Sequence, residues 1–229
     1  MIETPTDTPV VPEETQNDYL AYDLKFICDL AKHLNGDRGK AAMLRRNAGN
    51  TIAESRNIDW FFHLLGGRPI TRLNDGTFKD EEAYFVISTL FASDKASIEC
   101  FADKEAETKP ANGNFGYTLY RLKKKICDVE SAEKTFDRRF GILLDADFDP
   151  QLGGSLSFRL RQMTKRVIAE KDPALSINWP QLLRDIKRWN GSKKPTQKSW
   201  ARSYYAPVFK SSDEKPESDE KQDHIQGDY

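Results

Sequence analysis

The sequence has few of the residues from which metal sites and disulfide frameworks are built. It contains three cysteines and three histidines among 229 residues. Cys28, Cys100 and Cys127 are odd in number and far apart, and no two have C-x-x-C spacing, which predicts buried free thiols. The histidines are also far from one another along the chain, so we expect no bound metal.

Long apolar segments are missing as well. No run reaches the ~18 residues that a membrane-spanning helix needs, and the N-terminus lacks the basic-then-apolar order of a signal peptide. We therefore expect a soluble, cytoplasmic protein. With 38% hydrophobic residues, the chain can bury one good core or two small ones.

The motifs of common catalytic sites are absent from the sequence. There is no G-x-S-x-G elbow and no glycine-rich phosphate loop. The stretch DADFDPQLGG spaces Asp145, Asp147 and Asp149 like calcium ligands, but Pro150 and Leu156 stand where the loop requires Gly and Glu. A helix that begins at Pro150, capped by Asp149, is the preferred interpretation. We expect no enzymatic activity and no cofactor.

The chain does contain a strong helical periodicity, because apolar residues recur at intervals of three and four far more often than at two. This pattern predicts an all-α fold of about nine helices without a strand. Two long connections are expected at 66–79 and 93–115. The predicted helices are 17–34, 38–48, 54–65, 80–92, 116–128, 131–145, 150–170, 179–190 and 196–205.

Charge divides the chain into a basic body and two acidic ends. Residues 1–18 carry a net charge of −5 and residues 210–229 carry −4, which leaves +8 on the residues between them. Both ends are poor in apolar residues, so we expect disordered tails. A break near Asp149 predicts two packed helical bundles in the body, an N-terminal one at 19–149 and a C-terminal one at 150–209.

The stretch NWPQLLRDIKRW at 178–189 is predicted to form a helix with two different faces. Asn178 should cap it, and Pro180 lies early enough that its missing N–H costs nothing. Arg184 and Arg188 lie one turn apart on the face opposite an apolar stripe. The stripe consists of Trp179, Leu182, Leu183, Ile186 and Trp189.

The preceding helix repeats this design, with an apolar seam at Leu152, Leu156, Leu160, Met163 and Val167. Between residues 155 and 205, twelve Lys or Arg outweigh three acids, a net charge of +9. Ordinary surfaces mix the signs, because unbalanced charge repels itself. The imbalance favours a site for a polyanion over a merely solvated face. The candidates from this block are Arg159, Arg161, Lys165, Arg184, Arg188, Lys193, Lys194, Lys198 and Arg202.

The motif GDRGKAAMLRR at 36–46 supplies two more candidates. Its glycines predict a turn, and the helix that follows presents Arg45 and Arg46. An outward guanidinium suits a phosphate contact, whereas the alternative is an internal bridge to Glu54 or Asp59.

The motif QKSWARSYY at 197–205 places Trp200 and Tyr204 on one helical face. Aromatic rings among basic residues can stack nucleobases. Here the spacing of four favours a core stripe, which leaves Lys198 and Arg202 as an exposed pair.

Taken in order, these motifs resemble the small subunit of the type I-E CRISPR Cascade complex, the CasB family. The resemblance runs through most of residues 19–209. Its most specific part is N-W-P-x-L-L-x-D-hydrophobic-x-x-W at 178–189, followed by Q-x-x-W-A-R-x-Y-Y at 197–205. The other matching segments are GDRGKAAMLRR, GNFGYTLYRL at 113–122, RRFGILLDAD at 138–147 and LRQMTKRV at 160–167.

The resemblance implies an all-helical, non-catalytic subunit that helps to hold the guide RNA–target DNA duplex and the displaced non-target strand, which stabilises the R-loop. The implied partners are the backbone and large subunits, a second copy of the chain, the guide RNA and both DNA strands. The family's basic residues fall on Arg46, Arg159, Arg161, Lys193 and Lys194, and Arg138 of the RRFGILLDAD segment is a further candidate.

Two other functions fit the same pattern. A helix-turn-helix regulator would combine short helices, glycine turns and arginines, but it also needs Asn, Gln or Ser to read base edges, and the basic helices offer few. A scaffold protein could use its arginines to pair with acidic partners. The dependence of DNA affinity on salt and on sequence separates these functions.

Overall fold

A computed structural model describes residues 16–56, 58–66, 80–103, 113–149 and 154–206. Within these residues the chain forms ten α-helices, one short 3₁₀ helix at Pro173–Leu175 and no strand, which confirms the predicted all-α fold. The helices are α1 Gln16–Asn35, α2 Arg38–Arg46, α3 Asp59–Gly66, α4 Glu81–Phe91, α5 Lys95–Ala102, α6 Phe115–Ile126, α7 Glu130–Leu144, α8 Gly154–Ala169, α9 Trp179–Lys187 and α10 Pro195–Tyr205.

Helix α5 was not predicted, since it lies inside the segment 93–115 that we expected to be a connection. Asp94 caps it by accepting from the Ser97 amide at 3.1 Å. Only Ile98 and Phe101 are buried on this helix. Two apolar residues over two turns are too weak a periodicity to recognise in the sequence.

Helix α3 begins at Asp59, so the predicted start at residue 54 is wrong. Thr51 and Glu54 instead close a single turn, in which the Thr51 amide donates to the Glu54 carboxylate and the Glu54 amide donates to the Thr51 hydroxyl. This reciprocal pairing has the form of a capping box. Thr51 and Glu54 therefore form a motif that usually starts a helix, but here it closes a single turn and no helix follows directly.

Helix α8 begins at Gly154, so the predicted start at Pro150 with Asp149 as its cap is wrong. The φ angle of Gly154 is +68°, which a continuous right-handed helix from Pro150 could not contain. A Cβ at this position would lie 2.5 Å from the Asp147 carbonyl oxygen. The glycine therefore allows the chain to turn closely over Asp147 before the helix starts.

Helix α1 begins at Gln16, so residues 16–18 belong to a helix and not to the predicted N-terminal tail. The rest of the predicted N-terminal tail, residues 1–15, and the whole predicted C-terminal tail, residues 210–229, lie outside the described residues. Most of the predicted connection at 66–79 also lies outside them. Cys28 is buried as expected, but Cys127 is only partly buried and Cys100 is exposed, so the prediction of buried thiols is wrong for Cys100.

Three tryptophans lie at the centre of the core, and each indole N–H has a partner. Trp179 donates to Asp94, Trp189 to the Ala146 carbonyl at 2.8 Å, and Trp200 to Asp185 at 2.6 Å. Trp189 and Trp200 meet edge to face with their ring centroids 5.1 Å apart. The hydrogen bonds allow these large side chains to be fully buried without an unsatisfied donor.

The later helices pack against the earlier ones. Helix α9 lies against α1 and α4, α10 lies against α6, and α8 contacts α4, α6 and α7. The division into bundles at 19–149 and 150–209 stays a prediction about the organisation of the chain. Among the described residues, no helix combines the length and the hydropathy that a membrane span requires.

Candidate nucleic-acid interface

The twelve predicted binding residues share one property: none forms an ion pair with another described residue. The ion pairs of the described chain all use lysine as the cation, for example Lys123 with Asp137 at 3.0 Å and Lys125 with Asp172 at 2.9 Å. The lysines so paired are 40, 95, 123, 124, 125, 134 and 187. Within the described residues the fold therefore pairs seven lysines with internal carboxylates and leaves the predicted set, like Arg139 and Arg166, without an ion pair.

Helices α7 and α8 enclose a basic groove of about 750 Å³. Arg138, Arg159 and Lys165 line it, as predicted candidates. Arg139 and Arg166 also line it, although neither was predicted from the sequence. Among the described residues no carboxylate lines this groove. An acid-free groove with five cations is suited to an anionic ligand.

The groove continues past Arg139 and Arg166 into a second depression of about 340 Å³ that reaches Cys127 at the end of α6. Burial and the positive charge of Arg139 lower the pKa of the Arg166 guanidinium. Two guanidinium groups therefore lie close enough to repel each other. A bound phosphate would relieve this repulsion.

The groove follows from the amphipathic pattern of its two helices. Phe136, Phe140 and Leu143 turn one face of α7 into the core. On α8 the predicted apolar seam is buried at Leu156, Leu160, Met163 and Val167, and the sequence of α8 contains no Asp or Glu. Burial of the seam leaves the arginines and Lys165 at the groove or on the outer face.

Arg161 lies on the side of α8 that faces the end of α2. Its side chain passes over Gly49, where an added Cβ would lie 2.9 Å from Arg161 Cδ. Gly49 follows Arg46 by three residues, and Arg46 is exposed. The positions carried over from the family, Arg46 and Arg161, therefore belong to neighbouring parts of the surface.

Arg45 is exposed and donates to the Ala92 carbonyl oxygen at 3.3 Å. The internal bridge to Glu54 or Asp59, which the sequence left open, is not made by Arg45 or by Arg46. Glu54 instead accepts from the Thr51 amide within its turn.

Helix α9 has the predicted cap and the predicted buried stripe. The Asn178 side chain accepts from the Gln181 amide at 3.1 Å, and Pro180 lies in the first turn. Arg188 is exposed and Arg184 is half-buried. In the sequence Asp185 lies between these two arginines, and its side chain is buried and faces the core.

Asp185 is held by two side-chain donors, Trp200 at 2.6 Å and Gln181 at 2.8 Å. Burial raises the pKa of its carboxyl to about 6, although the two hydrogen bonds and the nearby arginines act in the opposite direction. Asp185 therefore serves the packing of α9 on α10, and neither arginine has an ion-pair partner among the residues that the structure describes.

The remaining candidates follow α9. Lys193 and Lys194 are exposed in the turn between α9 and α10, and Lys198 and Arg202 are exposed on α10, as predicted. Trp200 and Tyr204 are fully buried, which confirms the core interpretation of these rings over base stacking. These candidates are a second set of basic residues, which do not line the groove between α7 and α8.

Arg139 and Arg166 carry no sequence signal that would select them over their basic neighbours. Arg139 directly follows Arg138, so only the packing of α8 on α7 decides that both line one groove. Arg166 belongs to the basic block at 155–205 but was not among the candidates chosen from it. Among the described residues no group of three or more His, Cys, Asp or Glu could hold a metal ion.

A comparison with protein families decides which class of protein carries this surface. The family described as CRISPR-associated protein Cse2 matches residues 40–205. The chain belongs to the Cse2 family. This confirms the resemblance to the CasB small subunits of Cascade that the sequence motifs indicated, and it makes the chain a CRISPR-associated protein.

Individual Cse2 proteins are similar over most of the chain. The CRISPR-associated protein Cse2 of Thermus thermophilus is 26% identical over 149 residues, 65% of this chain and 71% of the relative. The crystal structure of M. ruber CasB has 28% identity and a TM-score of 0.56, and the match covers 75% of this chain and 87% of that one. A chain of a CRISPR RNA-guided surveillance complex shares the fold, with 16% identity, a TM-score of 0.58, and coverage of 82% and 93%.

Proposed function

We propose that this Cse2-family protein is a non-catalytic subunit of a CRISPR RNA-guided surveillance complex that binds nucleic-acid backbones. It holds the guide RNA–target DNA duplex and the displaced non-target strand, and it thereby stabilises the R-loop. The observation that carries this proposal is that none of the twelve predicted cations is ion-paired within the described residues. Cations that the fold leaves unpaired are available to the phosphates of a partner.

Contacts to phosphates suit this task because the guide RNA reads the target sequence by base pairing. The protein then needs to hold the strands without regard to their sequence, and distributed Lys and Arg do so. Formation of an R-loop is nearly balanced in free energy, so several such contacts change its lifetime appreciably. The groove between α7 and α8 supplies the densest set of these cations.

Family membership also supports the proposed partners. The partners that we propose are the backbone and large subunits, a second copy of this chain, the guide RNA and both DNA strands. Contacts made by several subunits at once raise the apparent affinity, so binding by the isolated chain can be weaker than in the assembly.

Binding of the full chain to single-stranded DNA of random sequence, measured over a range of salt concentrations, tests the proposal. If six side chains engage phosphates of the single strand, the plot of log affinity against log salt should have a slope of about −4. The affinity should be the same for unrelated sequences. A strong sequence preference would instead support a regulator, and the absence of binding would support a scaffold for acidic proteins.

Charge reversal tests the residues within an assembled complex. Replacing Arg46, Arg161 and Lys165 by Glu should shorten the lifetime of the R-loop while the far-ultraviolet circular dichroism stays helical. Lys95→Glu is the matched control, since Lys95 is exposed on α5 and paired with Glu99. An R-loop lifetime equal to that of the unmodified complex would remove the three residues from the interface.

A further inference from the structure

Phe158 is an exposed aromatic residue on the basic helix α8. Its relative exposure is 46%, although the neighbouring apolar residues Leu156 and Leu160 are fully buried. It is not part of the buried core of the described chain. A single exposed aromatic residue is common on protein surfaces, so the surroundings of Phe158 decide whether it has a role.

The surroundings of Phe158 on α8 are cationic. Arg161, Gln162 and Lys165 follow it by three, four and seven residues, so they share its face of the helix. All three are exposed. Since α8 has no Asp or Glu, the ring stands on a helix face whose only charges are positive.

Arg159 also interacts with the ring. Its guanidinium carbon lies over Phe158, 5.6 Å from the ring centroid. This cation–π contact orients the side chain while nearly half of its surface stays accessible. Arg159 itself lines the groove between α7 and α8, so the ring lies beside the proposed path of a nucleic-acid backbone.

We propose that Phe158 is a stacking platform for an unpaired base of a single strand whose phosphates contact the neighbouring cations. An aromatic ring among basic residues is the arrangement by which proteins bind single strands without sequence preference, because every base has a π-face. In a duplex the bases stack on one another and offer no free face. The positive charge around Phe158 favours a nucleotide as the ligand, since a base stacked on the ring brings its phosphate to the adjacent cations.

This inference rests on the proposed function. The proposed function requires only a nucleic-acid backbone at the α7–α8 surface, whereas the inference requires a single strand with an unstacked base there. It assigns a role to Phe158 that the charged residues cannot fill. Contacts to phosphates alone would not distinguish a strand that carries bases from one that lacks them.

The experiment compares two ligands of equal length and charge, a short oligothymidine and an abasic strand. Phe158→Leu keeps an apolar side chain but removes the ring. We expect this variant of the full chain to bind oligothymidine roughly 5- to 150-fold more weakly, with unchanged affinity for the abasic strand. Phe158→Trp should retain the affinity for oligothymidine. Tyr22→Leu is the control, because Tyr22 is an exposed aromatic residue on α1 with 50% exposure.

Three results would overturn the inference. Unchanged oligothymidine affinity in Phe158→Leu would show that the ring does not stack on a base, and the salt slope and charge-reversal effects would still support the proposed function. An equal loss on both strands would assign Phe158 a structural role. If the unmodified chain binds neither strand, the proposed function fails and the inference fails with it.

Discussion

At Gly116 the backbones of α6 and α10 come into direct contact. A Cβ at this position would lie 2.3 Å from the Trp200 carbonyl oxygen and 2.7 Å from Trp200 Cα. Backbone atoms cannot move aside as a flexible side chain can. We therefore expect Gly116→Ala to lower the free energy of unfolding by about 1–3 kcal/mol, measured by urea denaturation.

Gly141 provides the matched control for this substitution. It lies within α7, and an added Cβ there would meet nothing within 4 Å. Gly141→Ala should stabilise the protein by up to about 1 kcal/mol through helix propensity. If Gly116→Ala unfolded at the same urea concentration as the unmodified protein, the close approach of α6 and α10 would be wrong.

Glu82 should make the stability of the protein depend on pH. Its buried carboxylate accepts from the Ile52 amide with both oxygens, at 3.1 and 3.2 Å. Burial raises the pKa of this group from 4.5 to about 7. The folded state therefore binds the proton more tightly than the unfolded state, so this group lowers stability as the pH rises from about 4.5 to 7.

Glu82→Gln removes this titration and keeps an oxygen that can accept from Ile52. We expect the difference in unfolding free energy between pH 5 and pH 7 to be smaller in the variant than in the unmodified protein. Some dependence should persist, because Asp185 has its pKa raised in the same direction. Identical pH profiles for the two proteins would mean that Glu82 titrates at its ordinary value.

At the scale of the helices, one buried polar cluster joins α1, α4 and α9. Lys187 donates to the Asp23 carboxylate and to the Tyr84 hydroxyl, the latter at 2.8 Å. Asp23 is 1% exposed. Removing the lysine would leave this carboxylate buried without its cation. We expect Lys187→Met to cost about 3–5 kcal/mol of unfolding free energy.

A double-mutant cycle tests whether this cost belongs to the pair. Replacing Asp23 by Leu together with Lys187→Met removes both charges, and it should restore much of the stability that the single substitution loses. The unfolding free energy of each variant gives the interaction energy. Strictly additive effects would contradict a coupled ion pair between α1 and α9.

The sequence predicted the bounds of four helices closely. Helices α1, α4, α7 and α10 begin and end within one residue of their predicted bounds. Predictions were wrong where a short-range signal had another use, as at Thr51 and Glu54, or where a turn depended on a distant backbone, as at Gly154. Periodicity records which face is buried, but it does not record which neighbour covers that face.

The same limit applies to the binding surface. The sequence predicts which cations point away from the core, and Lys198 and Arg202 are exposed as expected. It does not predict that α7 packs beside α8, so Arg139 and Arg166 became candidates only once the groove was seen. Phe158 was missed for a related reason, since a single aromatic residue between two buried leucines is typical of a core.

At the scale of the whole molecule, nearly equal numbers of acids and bases are unevenly distributed. The net charge is −1, yet residues 1–15 and 210–229 each carry −4. The body between them is correspondingly basic. Opposite charges on one chain attract each other at low salt, so we expect the acidic ends to compete with nucleic acid for the proposed basic surface.

Removal of these acidic ends should therefore strengthen nonspecific binding. A chain of residues 16–209 keeps α1, which begins at Gln16, and all other described helices. We expect it to bind random single-stranded DNA more tightly than the full chain at low salt, and the difference should shrink as added salt screens the ends. Fluorescence anisotropy at several salt concentrations measures both effects. Equal affinity of the two chains at low salt would mean that the acidic ends do not shield the interface.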